Sequence, residues 1–303
     1  MTLLCDKLKH DPKEVNYLNI SVEEDTLQYV DPNLIELISN RETGEIYFLA
    51  QKAKKQIDVF FKKIIEIHQS DFSNQKKREE FKELFSHFSE PNHLRLGFSQ
   101  KGNSGKGTTA PELIKIFMDK DILSIILNDD ELTIPQKTPL IKNFGGDKLS
   151  DLTINIIMNI IIDFNKSILR DFPEMRSFLS QNTETYYYFS IYGRWEEYTF
   201  TPFLFDNKET LLVPKLFTTY NQTSSLDLIT RVYIKEEITK LQKERNSPKR
   251  MPQTQFISEF VKGNRTDNMI NIFLNTSMES HRQFKKALNS KANERRNKNK
   301  ENN

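Results

Sequence analysis

The residue types best suited to chemistry are gathered in Asn143-Phe-Gly-Gly-Asp-Lys-Leu-Ser-Asp151, just ahead of the long apolar run from Leu152 to Asp163. Asp147 and Asp151 stand four apart around the entry to a helix, where both carboxylates can converge on one divalent cation. Mg2+ or Mn2+ suits such a site, because magnesium accepts few carboxylates and keeps several waters. A metal held there would activate water and neutralise charge developing on a phosphodiester. A plainer reading competes with this one. Gly145-Gly146 lets the chain turn sharply, and Ser150 or Asp151 then caps a helix running from Leu152 to Leu169. Capping accounts for Ser150 and Asp151 and leaves Asp147 and Lys148 without a role.

Two further elements could complete a phosphate-handling site. The run Leu211-Leu-Val-Pro-Lys215 reads as a strand ending on a lysine. It resembles the acid-x-lysine element of restriction-endonuclease-type nucleases, where the lysine helps generate the hydroxide nucleophile. Val213 stands where the acid would be, so Lys215 would have to work with acids from elsewhere, such as Asp147, Asp151 or Glu209. As an ordinary strand-end lysine it would need no such partners. His93 to Ser99 alternates like a strand, Gln100 to Thr109 is glycine-rich, and a helix opens at Pro111. The Walker spacing fails at Gln100 and Gly107. Backbone amides in such a loop still suit phosphate, with Lys101, Lys106 and Lys148 as the cations beside it.

These residues need a scaffold. Asp31-Pro32 opens a helix through Asn33-Leu-Ile-Glu-Leu-Ile, with Asp31 as its cap. Between residues 47 and 68 the apolar positions Ile57, Phe60, Phe61, Ile64, Ile65 and Ile67 follow a helical period, and Phe81 to Phe88 repeats the pattern. Asn155, Asn159 and Asp163 recur at four-residue spacing on an otherwise apolar helix, as buried partners or as the lining of a cleft. Aromatic and β-branched residues from Glu184 to Lys215, with an Asp206-Asn207 turn, predict a β-hairpin. Residues 225–245 form a charged amphipathic helix, and further helical patterns follow Pro252. The expected class is α+β: helix-rich, with a small central mixed sheet including the hairpin, flanked by N- and C-terminal helices. Composition shifts divide the chain into a mainly helical part (1–92), an α/β core (93–222), C-terminal helices (223–280) and a basic, disordered tail (281–303).

With 303 residues, 22 Phe and 10 Tyr against 9 Gly, the chain can build a sizeable core and is not globally disordered. Cys5 is the single cysteine, so no internal disulfide forms, and the five histidines show no zinc-ligand spacing. A reducing, cytoplasmic setting follows. No membrane span is expected, since the most apolar run is interrupted by Asn155, Asn159 and Asp163. The net charge of +2 hides an asymmetry: residues 281–303 carry +6 and the rest −4. A tail so basic can contact phosphates by counterion release, or simply remain solvated.

The landmarks Tyr29-Val-Asp-Pro-Asn-Leu-Ile, Leu96-Gly-Phe-Ser with Gly102-Asn-Ser-Gly-Lys-Gly, Asp147-Lys-Leu-Ser-Asp-Leu-Thr-Ile-Asn155, Trp195 and Leu211-Leu-Val-Pro-Lys215 occur in this order. In that order they resemble a poorly characterised prokaryotic family associated with mobile elements and antiphage defence, over about residues 28 to 220. The resemblance implies a context and no catalytic roles. Two functions from different classes fit the residues. One is a metal-dependent nuclease or nuclease-like effector on DNA or RNA, with Asp147 and Asp151 as metal ligands, Lys215 beside the attacking water, and Lys106 and the tail on phosphates. The other is a non-catalytic interaction subunit that binds nucleic acid or a partner ATPase or helicase in a multi-subunit defence complex.

Overall fold

The computed structural model describes residues 2–40, 43–97, 108–128, 130–244, 246, 251–261 and 264–301. The N-terminal part contains α1 (Leu4–Leu8), β1 (Tyr29–Val30), α2 (Pro32–Ser39), α3 (Glu45–Gln69) and α4 (Asn74–Leu84). Asp31 caps α2 as its sequence position suggests, accepting from the Asn33 backbone N–H, and Pro32 occupies the first helical position. Along α3 the buried side chains Leu49, Ala53, Ile57, Phe60, Phe61, Ile64 and Ile67 keep the helical period and face one core. There Phe60 meets Phe85, Phe189 and Trp195 edge-on, with centroids 4.9 to 6.4 Å apart.

Next come α5 (Ala110–Phe117), α6 (Lys120–Leu127), the short α7 (Ile134–Lys137), α8 (Gly146–Ile156) and α9 (Met158–Asp171). The apolar run expected as one helix from Leu152 is therefore two, bent by 70° between α8 and α9. Among the described residues no single helix is long and apolar enough to cross a membrane. Nearly every apolar side chain of both helices is buried, and the bend lets one run pack against several neighbours. Its polar residues take partners from three different places. Asn155 holds both Ser89 backbone groups, Asn159 accepts from Gln56 of α3, and Asp163 accepts from the Tyr198 hydroxyl. Asn155 is buried and Asn159 and Asp163 are half-buried, so all three serve as hydrogen-bonding partners between elements.

The strands then follow as β2 (Glu184–Phe189), β3 (Trp195–Phe200), β4 (Phe203–Phe205), β5 (Lys208–Thr210) and β6 (Thr218–Thr219). The class is α+β, with the strands arranged as three antiparallel pairs: β1 with β6, β2 with β3, and β4 with β5. The β4–β5 hairpin turns on Asp206 and Asn207, both at positive φ (50° and 61°), the conformation that suits the right-handed twist of a two-residue hairpin. One mixed sheet does not form because Leu211 to Val213, although extended, spreads its backbone bonds over separate elements. Leu211 donates to the His93 carbonyl, Leu212 to the Asn165 side chain, and Val213 accepts from Leu18. The strand expected from His93 is likewise reduced to a 3-10 turn at Asn92–Leu94 and a single bridge from Leu96 to Thr26. Between them Arg95 has a φ of 52°, which breaks the extended run and sends its buried guanidinium to the Val22 and Phe205 carbonyls.

A second core is built by α10 (Leu226–Glu244), α11 (Gln253–Phe260), α12 (Arg265–Leu274) and α13 (Met278–Glu301), together with Ile125, Leu132 and Leu140. The tail expected to be disordered is thus largely the helix α13. Its His281, Phe284, Leu288 and Ala292 recur on one face and are buried, and Asn299 near its end donates to the Lys215 and Thr218 carbonyls. A count of charges hides that stripe, because the basic residues occupy the remaining faces.

Candidate functional site

The stretch from Asn143 to Asp151 forms a turn and the first turns of α8. Asn143 takes the left-handed conformation (φ 62°), which Asn tolerates better than most residues, and Gly145 is the N-cap. The helix starts at Gly146, one turn earlier than capping by Ser150 or Asp151 would require. Burial of Leu149 with Leu152 and Thr153 explains this, since those three share a face only if the turn before Ser150 is already helical. Neither Ser150 nor Asp151 is a cap. The buried Ser150 hydroxyl accepts from the Val30 backbone N–H at 3.0 Å and fastens β1 onto α8.

Asp147 lies in the first turn, exposed, where the helix N-terminus favours a negative charge. The Tyr29 hydroxyl hydrogen-bonds to it, and burial together with that carboxylate pushes the Tyr29 phenol up. One turn on, Asp151 is half-buried. Its carboxyl is pushed up to about 7, first by burial, then by the like charge of Asp147 and of Glu90. Asp151 therefore keeps part of its proton population near neutral pH, on the same helix face as Asp147. Among the described residues no three His, Cys, Asp or Glu side chains gather to hold a metal ion.

The other expected participants lie elsewhere. The Lys148 ammonium pairs with Glu112 of α5 at 2.5 Å and holds that carboxyl below its usual range, so it is engaged in joining α8 to α5. Lys215 sits in a 3-10 turn, only 5% exposed, with its ammonium on the Pro12 carbonyl at 3.0 Å. Burial lowers its pKa, with Cys5 and Asp11 as the opposing neighbours, whereas the neighbours that raise Asp151 are Asp147 and Glu90. Asp147 and Asp151 are brought together, then, and Lys215 is not brought to them. Lys101 and Lys106 lie outside the described residues.

Beside Asp147 opens a cleft of about 720 Å³, lined by Tyr29, Asn143, Gly145, Gly146, Gln222 and Ser225 among others. The Gln222 side chain donates to the Val30 and Gly146 carbonyls, while its amide oxygen is buried with no partner among the described residues. A Cβ on Gly146 would lie 2.8 Å from the Gln222 Cγ, so this close approach accounts for one of the two glycines. Asp31 supports the same wall. Fully buried, it accepts from the Thr223 N–H and hydroxyl at 2.6 and 2.7 Å as well as from Asn33. Three helices begin at this cleft: α8 at Gly146, α10 after Ser225, and α12 after Asn264. Each of these helices carries an acid in its first turn, Asp147, Asp227 and Asp267, which offsets the partial positive charge of its end. Tyr29, Gln222 and the opening of α10 cannot be assigned to this site from sequence, because nothing local signals their meeting with Asn143 to Asp147.

Fold and site together define a helix-rich α+β protein with a polar cleft at the meeting of three helix N-termini. The chain belongs to the family described as Domain of unknown function (DUF8370), whose model matches residues 7–225. That span holds Asp147, Asp151 and Lys215, and α10 to α13 follow it. No curated protein and no solved structure matches the chain.

Proposed function

We propose that this protein is a non-catalytic interaction subunit, binding nucleic acid or a protein partner without cleaving it. The observation that carries this reading is the separation of the polar groups a metal-dependent nuclease would need to combine. Lys215 spends its ammonium on the Pro12 carbonyl next to Cys5 and Asp11, while Asp147 engages Tyr29 and Asp151 tends towards its neutral form. Lys148, the remaining cation of the segment, is neutralised by Glu112. What stays accessible is the polar cleft and the surface around it, which suits recognition better than hydrolysis.

The test incubates the purified chain with Mg2+ or Mn2+ and labelled single- and double-stranded DNA and RNA. No cleavage above a chelator control is expected from the wild type. Metal-dependent cleavage that disappears in Asp147→Asn or Lys215→Gln would restore the nuclease reading.

A further inference from the structure

The C-terminal half of α13 carries cations that the fold does not neutralise. From Lys291 to Glu301 there are five Lys or Arg against two Glu. Lys291, Arg295 and Lys298 follow one another at four- and three-residue spacing, on one side of the helix and about 6 and 4.5 Å apart along its axis. Among the described residues none of the three has an acidic partner within salt-bridge distance, nor has Arg231 on α10. The Lys291 ammonium makes only long contacts, 3.5 Å to the Gln222 carbonyl and 3.4 Å to the Ser225 hydroxyl. Burial first, then Arg295 and Arg231, lower its pKa, against Asp31 and Asp227.

An exposed aromatic stands next to this row. Asn299 binds the Thr218 carbonyl and Lys291 contacts that of Gln222, so the segment from Thr218 to Gln222 runs alongside α13 between those two points. Between those anchors the segment bends at Tyr220 and Asn221, where the Thr219 hydroxyl donates to the Asn221 carbonyl at 3.0 Å. Tyr220 lies at that bend, between the two points where the segment meets α13, and it is 62% exposed. At the Lys291 end the row reaches Gln222 and Ser225, which line the cleft. The amide side chains of Asn143, Asn221, Gln222 and Asn264 there offer both donors and acceptors.

We infer that the α13 row, Tyr220 and the cleft form a binding track for single-stranded nucleic acid. Lys298, Arg295 and Lys291 follow the phosphates, Tyr220 stacks on a base, and the cleft receives an unstacked base at the end of the row. A charged row with an aromatic platform is the arrangement by which single strands are held, and a duplex keeps its bases away from such a platform. An acidic peptide would use the cations and leave Tyr220 idle. This inference rests on the interaction-subunit reading and names its partner.

Fluorescence anisotropy on the full chain tests it, with labelled oligo(dT), oligo(U), a matching duplex and a poly-glutamate peptide as probes. The wild type should bind at least one single strand about tenfold or more tighter than the duplex or the peptide at equal salt. Arg295→Glu and Lys298→Glu should each weaken binding and flatten its salt dependence by about one phosphate contact or more. Tyr220→Ala should weaken it by about fivefold or more with the salt slope unchanged. Thermal melts establish that each variant is folded, and all three side chains are at least partly exposed. Absent single-strand binding, equal or tighter binding of duplex or peptide, or a neutral Tyr220→Ala in a folded variant overturns the inference. Single-strand binding as described together with metal-dependent cleavage would instead overturn the non-catalytic reading and leave the track standing.

Discussion

Replacing Asp151 by Asn removes a charge that the native state accommodates poorly, and the consequence for stability has a definite sign and pH window. The carboxyl is raised from an ordinary 3.8 to about 7 by burial, Asp147 and Glu90. Below about pH 4 both folded and unfolded chains hold the proton, and the group costs nothing. Between about 4 and about 7 the unfolded chain ionises while the native one does not, so stability falls as pH rises, by about 1.4 kcal/mol per pH unit. Above about pH 7 the native carboxyl is ionised too and the loss levels off. The full interval corresponds to about 4 kcal/mol, and the solvent contact that Asp151 retains reduces the expected effect to about 2 kcal/mol. Asn keeps the shape and drops the charge. Urea unfolding at about pH 5 and about pH 8 should therefore find Asp151→Asn more stable than wild type at the higher pH by about 2 kcal/mol. At about pH 5 roughly a third of the difference should remain, and the two should converge below about pH 4. If the variant is no more stable at about pH 8, or its pH slope equals that of the wild type, the account of Asp151 as a partly buried acid beside a like charge is wrong.

Two further substitutions probe how the site is held in place. Asn165 on α9 is fully buried and binds the Ile161 and Leu212 carbonyls and the Leu212 N–H, so Asn165→Ala should cost about 2 to 3 kcal/mol, read by urea unfolding. In the β4–β5 turn Asn207 has a φ of 61°, so Asn207→Gly should stabilise by about 0.5 kcal/mol, seen as a small rise in melting temperature.

Local signals in the chain determined a good deal of this protein. The apolar period of α3, the Asp31-Pro32 start of α2, the Asp206-Asn207 turn and the α+β class all depend on residues close together in sequence, where propensity, capping and turn chemistry act directly. Asp147 and Asp151 are neighbours for the same reason, since any helix through them sets them on one face. Contacts between distant segments decided the rest. Lys215 went to the Pro12 carbonyl, Ser150 to the Val30 N–H, and Lys148 to Glu112, each choice made by packing that no spacing encodes. The start of α8 followed the burial of Leu149 over the attraction of a Ser-Asp cap, because a buried apolar side chain outweighs a cap worth about 1 kcal/mol. In the same way, the basic tail became a helix once a second core offered its Phe284 and Leu288 stripe a partner. Only then did its cations line up alongside the segment from Thr218 to Gln222, since a row of charges has a direction only when the helix bearing it is docked.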